Sequence, residues 1–348
     1  LTRAMGLEMR GLGFTAVLSP VADMTVGKGD PTIGTRSAGS GPNVAASQVT
    51  AAMNGLIAAG VIPTLKHFPG HGSVSTDTHV DLGVQRRSLA ELKRKDLVPF
   101  TRAIAAGAPA VMTGHIVVPA VAPRVPASLS WRITTDLLRR QLGFRGLVVT
   151  DSLGMGAIVR RYSSGEASVR ALLAGADVVL MPPNAVAARN GIVNAVRSGR
   201  LSQARLDQAA TRMIATLLHQ ENVATRGAPM GTARRWSAAM STAGLTQVSG
   251  RCRGRLVGPQ VRVTGPHART FTRIAREEGL RVGSTGPLVA LATTSPTTQA
   301  TVAVALDRPQ VLRASKAQVK LAAYGSAGVP LPYAASFTCA LEARSTWG

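Results

Sequence analysis

Short apolar runs alternate with longer amphipathic stretches through the first two thirds of the chain. The apolar runs have the length and residue types of buried strands, and they cover residues 16–18, 61–65, 110–113, 147–150 and 178–181. The stretches between them have helical spacing, and they cover residues 45–59, 89–106, 134–142 and 166–174. Buried strands separated by amphipathic helices predict an α/β fold with a parallel sheet covered on both faces.

Polar residues follow nearly every predicted strand. They include Asp23, Lys66, His67, His115, Asp151 and Ser152. Such residues at the ends of several strands are typical of one face of a (β/α)8 barrel of the TIM type. An open doubly wound sheet is the alternative, but no glycine-rich phosphate turn follows the first strand. We therefore predict the barrel. Only about five or six of its eight strands are visible, so we expect one or two N-terminal units to be missing.

A second, smaller domain is predicted after the barrel. A helix over 202–220 ends the barrel domain, 1–220, and the segment 221–240 has no clear period and is interpreted as a linker. Residues 241–333 are predicted to form a small α/β domain. Its elements are strands at 255–258, 261–263, 288–291 and 302–306 and a helix at 270–279. Residues 334–348 are predicted to be an irregular tail.

The net charge of +23 comes from 40 basic and 17 acidic residues and favours anionic partners. Only six of the 40 are lysines, and the arginines are scattered rather than gathered in one stripe. Aromatic residues make up 3%, too few for base-stacking platforms, so we predict no nucleic-acid binding. A solvated basic surface is the simplest interpretation. Attraction to an anionic cell-wall polymer or a membrane surface is left open, and a bacterial cell envelope or secreted location is slightly favoured over the cytoplasm.

Apolar run lengths, the N-terminal residues and the cysteine count restrict the function less than the charge does. No uninterrupted apolar run approaches the length of a membrane span, and the stretch 171–180 is interrupted by Asp177. The chain opens with Leu1 and shows no signal-peptide pattern, so we expect a fragment or a processed form. Cys252 and Cys339 are the only cysteines, and two isolated cysteines do not define a redox environment.

The most informative segment is the loop that follows the second predicted strand. Residues 66–72 read KHFPGHG and residues 77–79 read DTH, so 14 residues hold a lysine, three histidines and an aspartate. Structural loops seldom gather so many polar groups, and a functional site is predicted here. A metal site is one alternative, with His67, His71, Asp77 and His79 as ligands. The loop lacks the helical spacing and the cysteine partners of zinc sites, so we predict no metal and no other cofactor.

These motifs resemble glycoside hydrolase family 3, in its β-N-acetylglucosaminidase (β-hexosaminidase) branch. The resemblance covers about residues 1 to 220 and includes the segments 18–23, 33–37, 66–72, 77–79, 112–115 and 148–155. Two features depart from the family pattern. The sugar-binding Asp-Gln-Glu-Gly-Gly segment of the family is not in this chain, and Ala38 stands where an aromatic residue is usual.

The resemblance implies roles for individual residues. Asp151 would be the nucleophile of a retaining hydrolysis, and His79, oriented by Asp77, would be the proton donor. An imidazole suits this task because it titrates near neutral pH. Without the motif, Asp151 could equally be a helix N-cap and His79 an exposed loop histidine. His71, between two glycines, is interpreted as structural. The implied substrate-binding residues are Arg36, Lys66 and His67.

The sequence therefore predicts a retaining exo-acting β-N-acetylglucosaminidase that removes terminal β-linked N-acetylglucosamine from muropeptide or chitooligosaccharide fragments. The low aromatic content fits small chain ends better than a long polysaccharide groove. Three alternatives remain: a β-N-acetylglucosaminide phosphorylase of the same family, an inactive truncated remnant, and a basic protein that binds cell-wall polymer. The oligomeric state and the role of the C-terminal domain are not predicted.

Overall fold

The computed structural model describes most of the first two thirds of the chain and parts of the last third. The described residues are 1–26, 32–74, 76, 78, 80–223, 225–243, 246–249, 260–265, 268–277, 280–292, 302–306 and 319–323. The chain divides into two compact units, Leu1–Thr232 and Ala233–Gly348. This division falls within the segment 221–240 that was predicted as a linker. Part of that segment is helical, since helices end at Val223 and begin at Arg234.

The first unit alternates helices with strands. Its strands are β1 (Ala16–Val17), β2 (Ile62–Phe68), β3 (Gly83–Val84), β4 (Ala110–Thr113), β5 (Ile116–Val118), β6 (Ala122–Pro126) and β7 (Leu147–Thr150). Its α-helices are α1 (Thr2–Gly11), α2 (Pro42–Ile57), α3 (Leu89–Arg94), α4 (Val98–Ala105), α5 (Gly156–Val159), α6 (Ser164–Ala174), α7 (Ala185–Arg197) and α8 (Gln203–Val223). A π-helix covers Arg132–Gln141, and short 3-10 helices cover Gly34–Arg36 and Ala127–Leu129.

Strands β1, β2, β4 and β7 form one parallel sheet in that order. The predicted strand at 178–181 contributes a single parallel bridge, from Val178 to Val149 of β7. Each strand of this sheet is joined to the next one in the sheet by a segment that contains helices, as parallel neighbours require. The order, the direction and the intervening helices agree with the wall of the predicted barrel.

Two helix predictions need correction. The amphipathic stretch 89–106 is not one helix, because α3 ends at Arg94 and α4 begins at Val98. Pro99 lies in the first turn of α4, where its missing N–H costs nothing, whereas inside a continuous helix it would break the hydrogen-bond ladder. The stretch 134–142 is helical, but its turns are wider than those of an α-helix.

The core lies between the parallel sheet and the surrounding helices. Among its largest fully buried side chains are Phe68 at the end of β2 and Phe100 in α4, whose rings meet edge to face at a centroid distance of 5.4 Å. Burial of each such side chain contributes about 1.5–3 kcal/mol to folding. The packing therefore fixes the end of β2, where the KHFPGHG motif begins.

A second small sheet holds the far end of the motif loop. It has the order β3-β5-β6, with β3 parallel to β5 and β6 antiparallel to it. Gln85, directly after β3, donates its backbone N–H to Val117 of β5 at 2.8 Å. The loop that leaves the main sheet after β2 thus returns through β3 to the segment that follows β4.

The second unit contains a six-stranded sheet with the order β10-β9-β11-β12-β13-β8, in which only β8 runs antiparallel to its neighbour among the described strands. Its elements are α9 (Arg234–Ala243), β8 (Thr246–Ser249), β9 (Gln260–Thr264), α10 (Ala268–Glu277), β10 (Arg281–Val282), β11 (Leu288–Ala292), β12 (Val302–Leu306) and β13 (Val319–Ala323). The predicted strand 255–258, both cysteines and the tail 334–348 lie outside the described residues. A search of the described helices found none with the length and hydropathy needed to span a membrane.

Candidate active site

The carboxyl ends of the parallel strands meet through backbone hydrogen bonds. Ala22, after β1, donates its N–H to Lys66 of β2 at 2.6 Å. Gly114, after β4, donates to Phe68 at 2.9 Å, and Asp151, after β7, donates to Thr113 at 2.9 Å. The structure therefore brings the residues that follow four strands to one edge of the sheet, where a barrel carries its chemistry.

Asp23 is the buried centre of this edge. Its carboxylate is fully buried and accepts the backbone N–H of His67 at 3.1 Å and that of His71 at 2.6 Å. It also lies 2.7 Å from Nδ1 of His67. Burial raises the pKa of Asp23, but the attraction of His67 and the hydrogen bonds from His67 and His71 outweigh burial and hold the pKa below its ordinary value of 3.8. Asp23 is thus an ionised anchor for the motif.

Asp23 determines how His67 meets a substrate. A carboxylate only accepts hydrogen bonds, so Nδ1 of His67 must be the donating nitrogen in their 2.7 Å contact. This contact fixes the orientation of the ring and leaves Nε2 for another partner. The prediction that His67 binds substrate is compatible with this geometry, although the predicted site did not include Asp23. The Asp that ends the segment 18–23, directly after a strand, was the signal in the sequence.

Lys66 and Asp151 lie within electrostatic reach of each other. Burial lowers the pKa of the Lys66 ammonium, the carboxylate of Asp151 opposes this shift, and the positive charge of Arg36 adds to it. Arg36 is exposed on the short helix Gly34–Arg36, and its guanidinium donates to the carbonyl oxygen of Thr32 at 2.8 Å. Lys66 therefore lies within electrostatic reach of both the predicted nucleophile and a second predicted substrate-binding cation.

Asp151 is partly buried, and its Oδ1 accepts the backbone N–H of Ser152 at 2.8 Å. The next helix, α5, begins at Gly156 with Met155 as its N-cap residue. The alternative role of Asp151 as a helix N-cap is therefore wrong. The carboxylate stands at the end of β7, on the same edge as Lys66 and His67.

His115 binds the backbone of the nucleophile segment. Its ring is completely buried, with Nε2 at 2.8 Å from the carbonyl oxygen of Ser152 and Nδ1 at 2.8 Å from the hydroxyl of Ser128. The carbonyl can only accept, so Nε2 donates to it. Burial lowers the pKa of His115, mainly because desolvation disfavours the cation. The segment 112–115 includes this residue, but no role could be assigned to it from the sequence.

The predicted acid/base pair, Asp77 and His79, lies outside the described residues, so the dyad stays a prediction. Its described neighbour Thr78 is buried, and the Thr78 hydroxyl lies 2.9 Å from Nε2 of His71. The interpretation of His71 as a structural residue is compatible with its burial.

A second buried carboxylate, that of Asp96, binds residues at both ends of the motif loop. Asp96 accepts the hydroxyl of Ser73 at 2.8 Å and the guanidinium of Arg87 at 2.5 Å. The side-chain amide of Gln85 donates to the same Ser73 hydroxyl. Residues from the start and the end of the loop therefore share one anchor. Beside it lies a cavity of about 340 Å³, lined by Val26, Ser73, Val84, Gln85, Arg86, Arg87 and Glu91.

The glycosyl hydrolase family 3 N-terminal domain matches residues 1–216, which hold every strand end described above. The chain belongs to this family. The barrel-type α/β fold expected for a family 3 N-terminal domain is thereby confirmed. The resemblance that the motifs indicated is confirmed as well.

Relatives within family 3 cover different parts of the chain. A protein named beta-hexosaminidase from Stenotrophomonas maltophilia strain R551-3 is 47% identical over 180 residues, which are 51% of this chain and 52% of that protein. The chain thus spans about half the length of the curated relatives it matches. A family 3 beta-N-acetylglucosaminidase structure from Paenibacillus is similar over 95% of this chain and 75% of its own, with a TM-score of 0.82 and 27% identity. A family 3 glycosyl hydrolase structure from Mycobacterium smegmatis is 40% identical, with a TM-score of 0.58, and covers 62% of this chain and 67% of its own.

The metal alternative concerned four side chains, those of His67, His71, Asp77 and His79. Among the residues that the structure describes, no group of three or more histidine, cysteine, aspartate or glutamate side chains is arranged to hold a metal ion. Of the four ligands that were considered, Asp77 and His79 are not described. The other two, His67 and His71, are engaged with Asp23 and Thr78.

Proposed function

We propose that this chain is a retaining exo-acting β-N-acetylglucosaminidase. The observation that carries the proposal is the placement of Asp151 at a strand end beside Lys66 and His67, whose backbone and ring are fixed by the buried Asp23. A carboxylate next to positioned hydrogen-bond donors can attack a sugar held by those donors. The names of the relatives, beta-hexosaminidase and beta-N-acetylglucosaminidase, support this choice of sugar.

The reaction would proceed in two steps. Asp151 attacks the anomeric carbon while His79 gives its proton to the leaving oxygen, and a glycosyl ester forms on Asp151 as the glycosidic bond breaks. Water then attacks the same carbon and transfers a proton to His79, which releases the sugar with its original configuration. Asp77 orients the imidazole and stabilises its cationic form during the cycle.

Lys66, His67 and Arg36 would bind the hydroxyl groups of the terminal sugar. The nitrogen Nε2 of His67 suits this role because Asp23 occupies Nδ1. All three side chains are hydrogen-bond donors, so they can hold several hydroxyl oxygens of one sugar at the same time.

The proposed substrates are muropeptide or chitooligosaccharide fragments that end in β-linked N-acetylglucosamine. The excess of 23 positive charges would attract the protein to anionic cell-wall polymers, which suits a place in a bacterial cell envelope or outside the cell.

The decisive experiment is the hydrolysis of 4-nitrophenyl β-N-acetylglucosaminide by the purified chain, with the anomer of the first product read by ¹H NMR. Release of the β-anomer supports the retaining mechanism. A sugar 1-phosphate formed when phosphate is added would favour the phosphorylase alternative. The absence of turnover in a chain with intact circular dichroism would favour the inactive remnant or the polymer-binding protein.

A further inference from the structure

Thr78 is held by two hydrogen bonds. Its hydroxyl lies 2.9 Å from Nε2 of His71, and its carbonyl oxygen accepts the backbone N–H of Ala157 at 3.4 Å. Thr78 is 1% exposed and His71 is 2% exposed, so water does not compete for the contact between hydroxyl and imidazole. In the sequence, Thr78 stands between Asp77 and His79.

The two partners of Thr78 belong to two different parts of the site. His71 donates its backbone N–H to Asp23 at 2.6 Å, and Asp23 also holds His67 on the substrate side. Ala157 lies in α5, the short helix that follows the nucleophile segment. Thr78 therefore connects the substrate-binding motif with the segment that carries the nucleophile.

The imidazole of His71 makes its hydrogen bond to Thr78. Its Nδ1 is buried and makes no hydrogen bond within the part of the chain that the structure describes. A buried polar atom without a partner costs roughly 1–3 kcal/mol, and an apolar side chain would fill the same space without that cost. The hydrogen bond that the structure records for this imidazole is the one between Nε2 and the Thr78 hydroxyl, and the ring also meets His67 edge to face at a centroid distance of 6.0 Å.

We propose that His71 and Thr78 are positioning residues for the acid/base histidine His79. The inference rests on the proposed function. Consecutive Cα atoms are only about 3.8 Å apart, so holding Thr78 limits where the side chain of the next residue can reach. Neither His71 nor Thr78 touches the substrate in this role. A general acid that is displaced by about 1 Å can lose roughly a hundredfold in rate.

The test uses a matched pair of variants at Thr78. Thr78→Val removes the hydroxyl and keeps the shape, whereas Thr78→Ser keeps the hydroxyl. We expect Thr78→Val to lower kcat/KM for N,N′-diacetylchitobiose by about tenfold or more, because its sugar leaving group needs protonation. The rate on 4-nitrophenyl β-N-acetylglucosaminide should change by less than about threefold, because nitrophenolate leaves with little help. Thr78→Ser should stay close to the unchanged chain on both substrates.

A second pair probes the other side of the contact. His71→Leu removes the ring nitrogen, and His71→Gln offers an amide at a similar distance. Both keep the backbone N–H that binds Asp23. We expect His71→Leu to show the leaving-group pattern of Thr78→Val and His71→Gln to show less of it. Equal losses on the two substrates, or the same behaviour of Thr78→Val and Thr78→Ser, would overturn the proposal.

A readout independent of catalysis separates the proposal from the proposed function. Amide hydrogen exchange over residues 75–82 should be faster in Thr78→Val than in Thr78→Ser if the hydroxyl anchors this segment. Equal exchange in the two variants refutes the anchor whatever the activity. If the unchanged chain hydrolyses neither substrate, the proposed function fails, and with it the role toward His79, while the exchange rates still decide whether Thr78 is an anchor.

Discussion

At the scale of single residues, Asp23 illustrates how a site depends on groups that carry no chemistry of their own. Its carboxylate binds one ring nitrogen and two backbone N–H groups of residues that lie 44 and 48 positions away in the sequence. The sequence does not show that residues so far apart along the chain are in contact. The segment 18–23 was therefore recognised as a motif, but Asp23 was not recognised as an anchor. The motif residues Lys66 and His67, in contrast, could be assigned because they share one short segment.

The ionised state of Asp23 gives the first prediction. Its pKa in the folded chain is below 3.8, so its contribution to stability is complete above that value and is lost as the pH falls below it. Asp23→Asn should lower the free energy of unfolding by about 3–5 kcal/mol at pH 7, because it leaves three donors without their charged acceptor. The difference from the unchanged chain should shrink as the pH falls below about 4. Urea titrations at pH 7 and pH 3 measure it, and a difference that does not change with pH would contradict the assignment.

The nucleophile gives the second prediction. Asp151→Asn should remove nearly all turnover and leave the fold intact, because the amide has the shape of the carboxylate but cannot form the ester. Loss of a covalent nucleophile costs several kcal/mol of transition-state stabilisation. With Asp151→Ala, added azide should restore part of the rate on the nitrophenyl substrate and give the product of inverted configuration. If Asp151→Asn keeps more than about a tenth of the rate, another group attacks the sugar.

The acid/base residue gives the third prediction. His79→Ala should slow N,N′-diacetylchitobiose far more than the 4-nitrophenyl glycoside, because only the sugar leaving group requires a proton. Asp77→Asn should show the same pattern more weakly, since it removes only the partner of the ring. Steady-state kinetics on both substrates measure the ratio. A loss of the same size on both would make His79 a binding or structural residue instead.

At the scale of elements, one buried carboxylate joins the sheet to two helices. The side chain of Asp177 is fully buried and accepts the backbone N–H of Val148 in β7 at 3.0 Å. It also pairs with Arg139 of the π-helix at 2.5 Å and with Arg205 and Arg212 of α8 at 3.2 and 3.0 Å. Three guanidinium groups share one carboxylate, so its loss would leave three partly buried cations facing one another.

This cluster gives the fourth prediction. Asp177→Ala should lower the free energy of unfolding by about 3–5 kcal/mol, because it breaks a buried ion-pair network by removing the single anion. Asp207→Ala is the matched control, since Asp207 is an exposed residue of α8 that accepts a hydrogen bond from Gln203. Denaturant unfolding of both variants gives the comparison. Similar midpoints for the two would show that the cluster contributes little to stability.

The elements that the sequence predicted are those whose pattern is set by burial. Strands β4 and β7 and the first part of β2 are buried on both faces and therefore appear as mainly apolar runs, whereas Lys66 and His67 interrupt the pattern near the end of β2. Helix α7 was not predicted; it is mostly exposed, with only Ala188 and Ala195 buried, so burial sets little of its pattern. The three-residue strand β5 was too short for any period to be visible. A local sequence pattern therefore does not reveal elements whose position depends on contacts made only in the folded chain.

At the scale of the whole molecule, two buried histidines make the stability depend on pH. Burial is the main cause that lowers the pKa of both His71 and His115 below 6.5. The folded chain therefore binds fewer protons than the unfolded chain when the pH falls below about 6.5. Their contribution to stability is complete above that pH and declines below it.

The fifth prediction follows from this difference in bound protons. Between pH 6.5 and pH 5 the free energy of unfolding should fall, and each histidine that binds a proton only in the unfolded chain adds about 1.4 kcal/mol per pH unit. His115→Gln should reduce the slope by up to the share of one proton, and it can still donate to the Ser152 carbonyl. Urea titrations across this range test it. An unchanged slope in the variant would show that His115 takes up its proton in the folded state.

The way in which Asp23 holds the motif also bears on protein engineering. Two of its three partners are backbone N–H groups, at His67 and His71, and every residue except proline supplies such a group. The position of the loop is therefore specified separately from the side chains that it presents. A library that varies the side chains at 67 and 71 can keep both backbone contacts as long as Asp23 is left untouched and proline is avoided at these two positions. A library that varies Asp23 would remove the acceptor that positions His67 and His71, and the motif loop would lose its place whatever side chains it carried.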